Sequence, residues 1–167
     1  TAITRETMAA IRTLIVSSIS EGIPPREAAR TIRSMVGMNA QQARAADSYR
    51  RELIDSGLAA DRVDTLTDRY VAKKIRERSE TIARTEIMSA LGEGARESWR
   101  EAKAEGLLGP EAKKEWITTP DERLCPICEP LDGVKVLLSE KFDTEVGELD
   151  GPPAHPRCRC AASVLPE

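Results

Sequence analysis

All four cysteines and the only histidine of this 167-residue chain fall in its last forty-three residues. They are arranged as Cys125-Pro-Ile-Cys128 and His155-Pro-Arg-Cys158-Arg-Cys160. The preceding 124 residues contain neither type. Thiolates and imidazole are the donors that divalent zinc prefers, and a Cys-x-x-Cys turn aims two sulfurs at one point. Two such knuckles predict a tetrahedral site, with the 26 residues between Cys128 and His155 closed into a loop by the ion.

Other chemistry fits the same residues less well. Two disulfides would suit a secreted chain, and nothing here marks secretion. A redox Cys-x-x-Cys normally lies between a strand and a helix, with no second cysteine cluster nearby. A nucleophilic Cys–His pair is disfavoured because His155 and Cys158 have the spacing of two ligands on one turn. Five donors compete for four positions. Cys125 and Cys128 are the firmest pair; Cys158 and Cys160 complete an all-cysteine set with His155 behind it, or His155 takes the place of Cys160.

The rest of the chain sets the context for this cluster. Its length suits one domain, or one domain with a small appendage. The five aromatics, Tyr49, Tyr70, Trp99, Trp116 and Phe142, leave a core of mainly Ala, Leu, Ile, Val and Met. Charged residues make up 32% and are mixed in sign, as on solvated helical surfaces. No apolar run reaches the ~20 residues needed to span a bilayer, so no membrane partner is expected. The formal charge of −3 opposes general attraction to nucleic acid. Residues 1–112 carry 18 Lys/Arg against 17 Asp/Glu, and residues 113–167 carry 7 against 11, so the metal-binding part is the acidic one. A local basic face there would rest on Arg157 and Arg159.

Periodicity predicts helices first and strands later. Ile11, Leu14, Ile15 and Ile19 share one face of a helix from about residue 4 to 20, and the pattern is already helical at Thr1, as expected of a chain excised from a longer one. Gly22 and the Pro24-Pro25 pair end it and open a short helix to about Met35, with Ala28, Ala29, Ile32 and Met35 inward. Asn39 and Gln42 form a capping box for a third helix to about Asp55. A fourth begins near Asp61 with Val63, Leu66, Tyr70 and Ile75, and the pattern either continues or breaks slightly near Ser79. From Glu80 to Glu105 the stripe Ile87, Ala90, Leu91, Gly94, Ala95, Ser98, Trp99 and Ala102 is the strongest helical signal. Gly92 and Gly94 are expected to serve close helix–helix approach, because no strand precedes them as in a phosphate loop.

Beyond Gly109-Pro110 the character changes. Residues 114–119 alternate as a strand, with Trp116 and Thr118 on one face; Leu131-Asp132-Gly133 turns the chain, and residues 134–138 return. Residues 143–153 read as an acidic surface loop, and 160–165 as a third strand. The expected divisions are 1–58, 59–112 and 113–167. The fold class expected is mainly α with a small C-terminal antiparallel β module (α+β), stapled by structural zinc. A sheet that small buries too little apolar area to stand alone, and a metal cross-link makes up the deficit.

Several of these strings together resemble a known family. Ile82-Ala-Arg-Thr-Glu86, Trp116, the run from Asp121 to Cys128, Leu131-Asp-Gly133, Phe142 and Pro152-Pro-Ala-His-Pro-Arg-Cys-Arg-Cys160 are similar to the phage Mu F and SPP1 gp7 minor head proteins. The resemblance covers about residues 60–166. It implies a minor capsid protein of head morphogenesis in a tailed double-stranded DNA phage, portal-associated and in some cases in contact with packaged DNA. The implied partners are portal, scaffold or capsid; the implied locations are the virion interior and, during assembly, the host cytoplasm. Some relatives carry toxin-like domains after this module, and none is expected here, since the chain ends at Glu167.

Residues outside the cluster receive roles with less chemistry behind them. The basic run Arg69, Lys73, Lys74, Arg76 and Arg78 is the candidate contact for portal carboxylates or DNA phosphates, although such a run is more often a solvated helix face. Arg84, Thr85 and Glu86 read as a catalytic or binding triplet, or, in the favoured reading, as Arg84 and Glu86 tying the long helix to the knuckles. Asp121, Arg123 and Asp132 are acid–base candidates, more simply turn and ion-pair residues, and Gly133 belongs to the turn. No catalytic residue is expected. An HNH-like nuclease needs a general-base histidine besides other metal ligands, and the one histidine already sits among cysteines. A zinc-ribbon nucleic-acid module is the other alternative, opposed by the acidic balance of residues 113–167.

Overall fold

The computed structural model describes residues 4–166, so the expectations drawn at Thr1 and Glu167 lie outside the described residues. Among the described residues four α-helices precede five short strands, and the chain divides into two compact units, residues 1–84 and 85–167. The mainly helical architecture with a small antiparallel β module at the C-terminal end is as the sequence predicts.

In the first unit, α1 spans Arg5–Ser20 and begins where the Thr4 hydroxyl accepts from the Thr7 amide. The α2 helix, Pro25–Ile32, has proline in its first turn, where an amide hydrogen has no helical partner to lose. It tightens into a 3₁₀ turn over Arg33–Met35, so the expected helix to Met35 changes pitch at Ile32. Ile11, Ile15, Ala28, Ala29, Ile32, Val36, Ala46 and Val63 are buried. The α3 helix, Ala40–Asp55, carries the predicted capping box: the Asn39 side chain accepts from the Gln42 amide, and the Gln42 side chain accepts from the Asn39 amide. Tyr49 stacks on Tyr70 with ring centres 4.7 Å apart.

The α4 helix runs without interruption from Ala60 to Ala104, so of the two expectations at Ser79 the continuous one holds. Ser79 is fully buried and returns its hydroxyl to the Arg76 carbonyl, which satisfies it without opening the helix.

In the second unit, β1 (Lys113–Ile117) is central in a three-stranded sheet. It pairs antiparallel with β2 (Lys135–Leu137) on one side and β5 (Ala161–Leu165) on the other. Lys114, Trp116 and Thr118 are buried while Lys113 and Ile117 are exposed, the period-two alternation of a half-buried strand. The stretch expected to be a plain loop contains a hairpin, β3 (Phe142–Thr144) against β4 (Gly147–Leu149). Its charges face outward while Phe142 is fully buried, edge-on to Trp116 at 5.2 Å. Gly147, at φ +108°, permits the tight reversal.

The glycines of α4 serve a different purpose from the one expected. A Cβ on Gly92 would lie 3.0 Å from the Pro152 carbonyl oxygen, so the close approach is to loop backbone, not to another helix. Gly94 faces open space.

Candidate metal centre

The first knuckle is a turn, with the Cys128 amide donating to the Cys125 carbonyl. The second closes by the Cys158 amide donating to the His155 carbonyl, with Arg157 at φ +64°. These turns bring the five donors together from distant parts of the sequence. Cys125 Sγ and Cys128 Sγ lie 3.0 and 3.2 Å from His155 Nε2, and Cys128 Sγ lies 3.8 Å from Cys158 Sγ. Two overlapping triads result, Cys125–Cys128–His155 and Cys128–Cys158–Cys160, each with donor atoms within 4.8 Å of one another. Cys128 belongs to both.

This donor set fits a metal ion. A tetrahedral zinc with ordinary bond lengths separates two sulfurs by about 3.8 Å and a sulfur from a nitrogen by about 3.6 Å. The Cys128–Cys158 separation of 3.8 Å matches, while the imidazole, at 3.0 and 3.2 Å from its two sulfurs, lies closer than a bound ion would hold it. His155 Nδ1 is 2.9 Å from the Pro156 carbonyl oxygen, which can only accept. Nδ1 therefore carries the proton, and Nε2 presents its lone pair to the sulfurs, as a ligating histidine does. All four thiols are free of disulfides.

The electrostatics point the same way. Burial pushes the Cys128 thiol well above its ordinary value, and the neighbouring cysteines push it further. Burial also raises Cys160, against the pull of an indole N–H from Trp116. Trp116 Nε1 is itself buried without a satisfactory acceptor among the described residues. A bound cation would reverse the balance, turning these thiols into thiolates and giving the indole N–H an anionic sulfur to face. The cluster occupies the core of its unit, packed with Trp116, Leu131 and Phe142.

The residues flanking the knuckles hold them in place. Asp121 receives both terminal nitrogens of Arg159 and the Arg123 amide. The Arg159 hydrogen bonds hold its carboxyl far below the usual range. Asp132 accepts from the amide and hydroxyl of Thr118 at 2.9 and 2.7 Å, which lowers its pKa and fastens the end of β1 to the first knuckle. Gly133 sits at φ +72°, and its amide donates to the Trp116 carbonyl. A residue with a Cβ would be strained at that turn. Of the triplet on α4, Thr85 reaches the second knuckle, its hydroxyl accepting from the Arg157 amide at 3.2 Å, a contact with no signal in the sequence. Arg84 is exposed and Glu86 half-buried. The pairing of Asp121 with Arg159 had no signal in the sequence, because residues thirty-eight positions apart share no local pattern.

The basic run on α4 is partly spent within its own unit. Lys73 and Lys74 both reach Glu77, at 4.0 and 3.5 Å, and the Lys74 ammonium lies over the Tyr70 ring. Arg78 donates to the Gly37 carbonyl at 2.6 Å. Arg69 and Arg76 are exposed.

Comparison with known proteins adds one decisive match. Residues 9–163 fit the family described as Phage Mu protein F like protein. The chain belongs to that family. The match spans nearly the whole chain, helices and knuckles together, and the family is one of structural phage head proteins. Searches of curated proteins and of solved structures returned no match. As a phage Mu F-like protein, the chain is tied by kinship to head assembly, and its cysteine–histidine cluster is a place where a metal ion could be held. Among the described residues no helix is long and apolar enough to cross a membrane.

Proposed function

We propose that this chain is a minor head protein that joins the phage head through the portal during assembly, with a zinc ion as a structural staple. The observation that carries the reading is the family match over residues 9–163. In this reading the ion is held by Cys125, Cys128, Cys158 and His155. The Nε2 lone pair aimed at two sulfurs, and the Cys128–Cys158 spacing, support that set over four cysteines. Cys160 is the inward neighbour, facing Trp116. Zinc supplies cross-linking and no reaction step. The only histidine serves as a ligand, leaving no general base of the kind a nuclease of HNH type requires.

Partner contact is assigned to the exposed charges of α4. Arg69 and Arg76 remain presented to solvent, while Lys73, Lys74 and Arg78 also serve the helical unit. Portal carboxylates suit such isolated arginines better than DNA does, because a duplex rewards many cations acting together.

Co-expression with the portal protein of a Mu-like phage tests the reading. Portal particles should retain the chain through purification, and Arg69→Glu/Arg76→Glu should release it while its zinc content stays unchanged. Portal particles free of the chain would refute the assignment. Magnesium-dependent cleavage of a plasmid by the zinc-loaded protein would establish the nuclease alternative.

A further inference from the structure

The strand order β2-β1-β5 leaves β5 at a border of the sheet, and no strand pairs with its outer edge among the described residues. An unpaired edge offers backbone donors and acceptors to another extended chain. Beside the start of β5 lies a half-open cavity of about 200 Å³, between Leu91, Ala95 and Trp99 of α4 and Pro152, Ala161 and Ala162. Its lining is largely apolar. Leu91, in the middle of the predicted stripe, is 50% exposed there, so the stripe is not fully covered within its own unit.

One side chain in this trough carries an unmet requirement. Arg96 is only 12% exposed, and its Nη1 is hemmed in by Gly92 and Gly151; an added Cβ at those positions would lie 3.2 and 3.0 Å away. Its Nη2 reaches Glu93 at 2.7 Å, but Nε and Nη1 are buried with no acceptor. A guanidinium cannot neutralise itself by losing a proton, and donors left unpaired out of water are costly. Lys114 adds a second buried cation in the same unit, its ammonium 5.5 Å from the Phe142 ring centre. Burial lowers its pKa, Arg96 and Arg100 repel its charge, and Asp150 and Glu140 partly offset them. The trough is apolar, with the only partly paired Arg96 guanidinium at one end.

We propose that an extended segment of a partner protein adds to the outer edge of β5, seats an apolar side chain against Leu91, Trp99 and Ala162, and sets an Asp or Glu carboxylate on Arg96. Alternate residues of a strand point to the same side, so the apolar and acidic residues of that segment lie two positions apart. The proposal deepens the reading of the chain as an assembly protein by giving the recognised partner a chemical form.

The test uses the zinc-loaded full chain and a capped octapeptide with Leu and Glu two positions apart in a threonine background. Its counterpart has Gln for Glu. Amide and indole NMR shifts should move at Ala161–Leu165 and at Trp99, with at least tenfold weaker binding of the Gln peptide. Arg96→Gln should erase that tenfold preference, and Leu91→Ala, at an exposed position, should weaken both peptides alike without disturbing the fold. No shifts at millimolar peptide, shifts confined to other surfaces, or equal binding of the two peptides would each overturn the proposal. Concentration-dependent dimerisation that buries β5 would overturn it in favour of a second copy of this chain. Retention on portal particles is a separate readout, so failure here is distinguishable from failure of the assembly role.

Discussion

The two compact units solve the same problem with different materials. Residues 1–84 are held by aliphatic burial, helix caps and one tyrosine stack, with Ile11, Ile15, Ile32 and Val63 at the centre. Residues 85–167 have a sheet of three short strands and a two-stranded hairpin, and their core is built on Trp116, Phe142, Leu131 and three buried cysteines. The difference shows where a bound ion would add most. Helices satisfy their backbone internally and need only one apolar face, whereas a sheet this small closes too little surface for its chain entropy. The helical unit is built on aliphatic packing alone, and the β unit on packing around a cysteine–histidine cluster that could hold an ion.

The largest effect expected of any substitution follows from Cys128, the sulfur common to both triads. Cys128→Ser should abolish stoichiometric metal binding and forfeit coupled folding energy on the order of 10 kcal/mol. Near-UV circular dichroism should report loss of Trp116 packing, while most helical signal persists. If both units collapse together, the contrast between them is wrong. In the helical unit, Ile32→Ala should cost about 2–5 kcal/mol by leaving a cavity, lowering the thermal midpoint with zinc content unchanged.

The paired glycines of α4 give a sharper and smaller test. Gly92→Ala meets the Pro152 carbonyl oxygen at 3.0 Å and should destabilise the β unit by about 1–3 kcal/mol despite improved helix propensity. Gly94→Ala meets nothing and should stabilise by up to about 1 kcal/mol. Chemical denaturation followed by Trp fluorescence separates the two signs. Asn39→Ala, which removes the capping box, should cost about 1 kcal/mol in the helical unit alone.

The smallest expected effect is a pH dependence. The Thr118 hydrogen bonds hold the folded pKa of Asp132 below its unfolded value. Its stabilisation is therefore complete above the unfolded pKa, near 4 for an aspartate, and is lost as pH falls through the lower folded value. The difference in stability between wild type and Asp132→Asn should narrow across that acidic window. A difference that stays constant with pH would remove the carboxylate from the account.

Local chemistry made much of this legible in advance. The capping box at Asn39, the proline start at Pro25 and the alternation around Trp116 each depend on residues close in sequence. The knuckles were visible because cysteine and histidine have few uses in such spacing. The β3–β4 hairpin was hidden, because its acidic residues and glycine describe an exposed turn while a single Phe142 anchors it. Arg96 was equally hidden. Its isolation depends on Gly92 and on Gly151, which approaches from a loop far along the chain. The pairing of Asp121 with Arg159 has the same long-range origin.

The central claim is that a metal ion at the cysteine–histidine cluster holds the β unit and not the helical one. Hydrogen exchange of the purified chain, followed residue by residue with and without a zinc chelator, tests it directly. The account predicts one zinc per chain and, on chelation, loss of protection in β1, β2 and β5 while amides of α1 and α3 keep theirs. Unchanged protection of β1 after complete removal of zinc would contradict it.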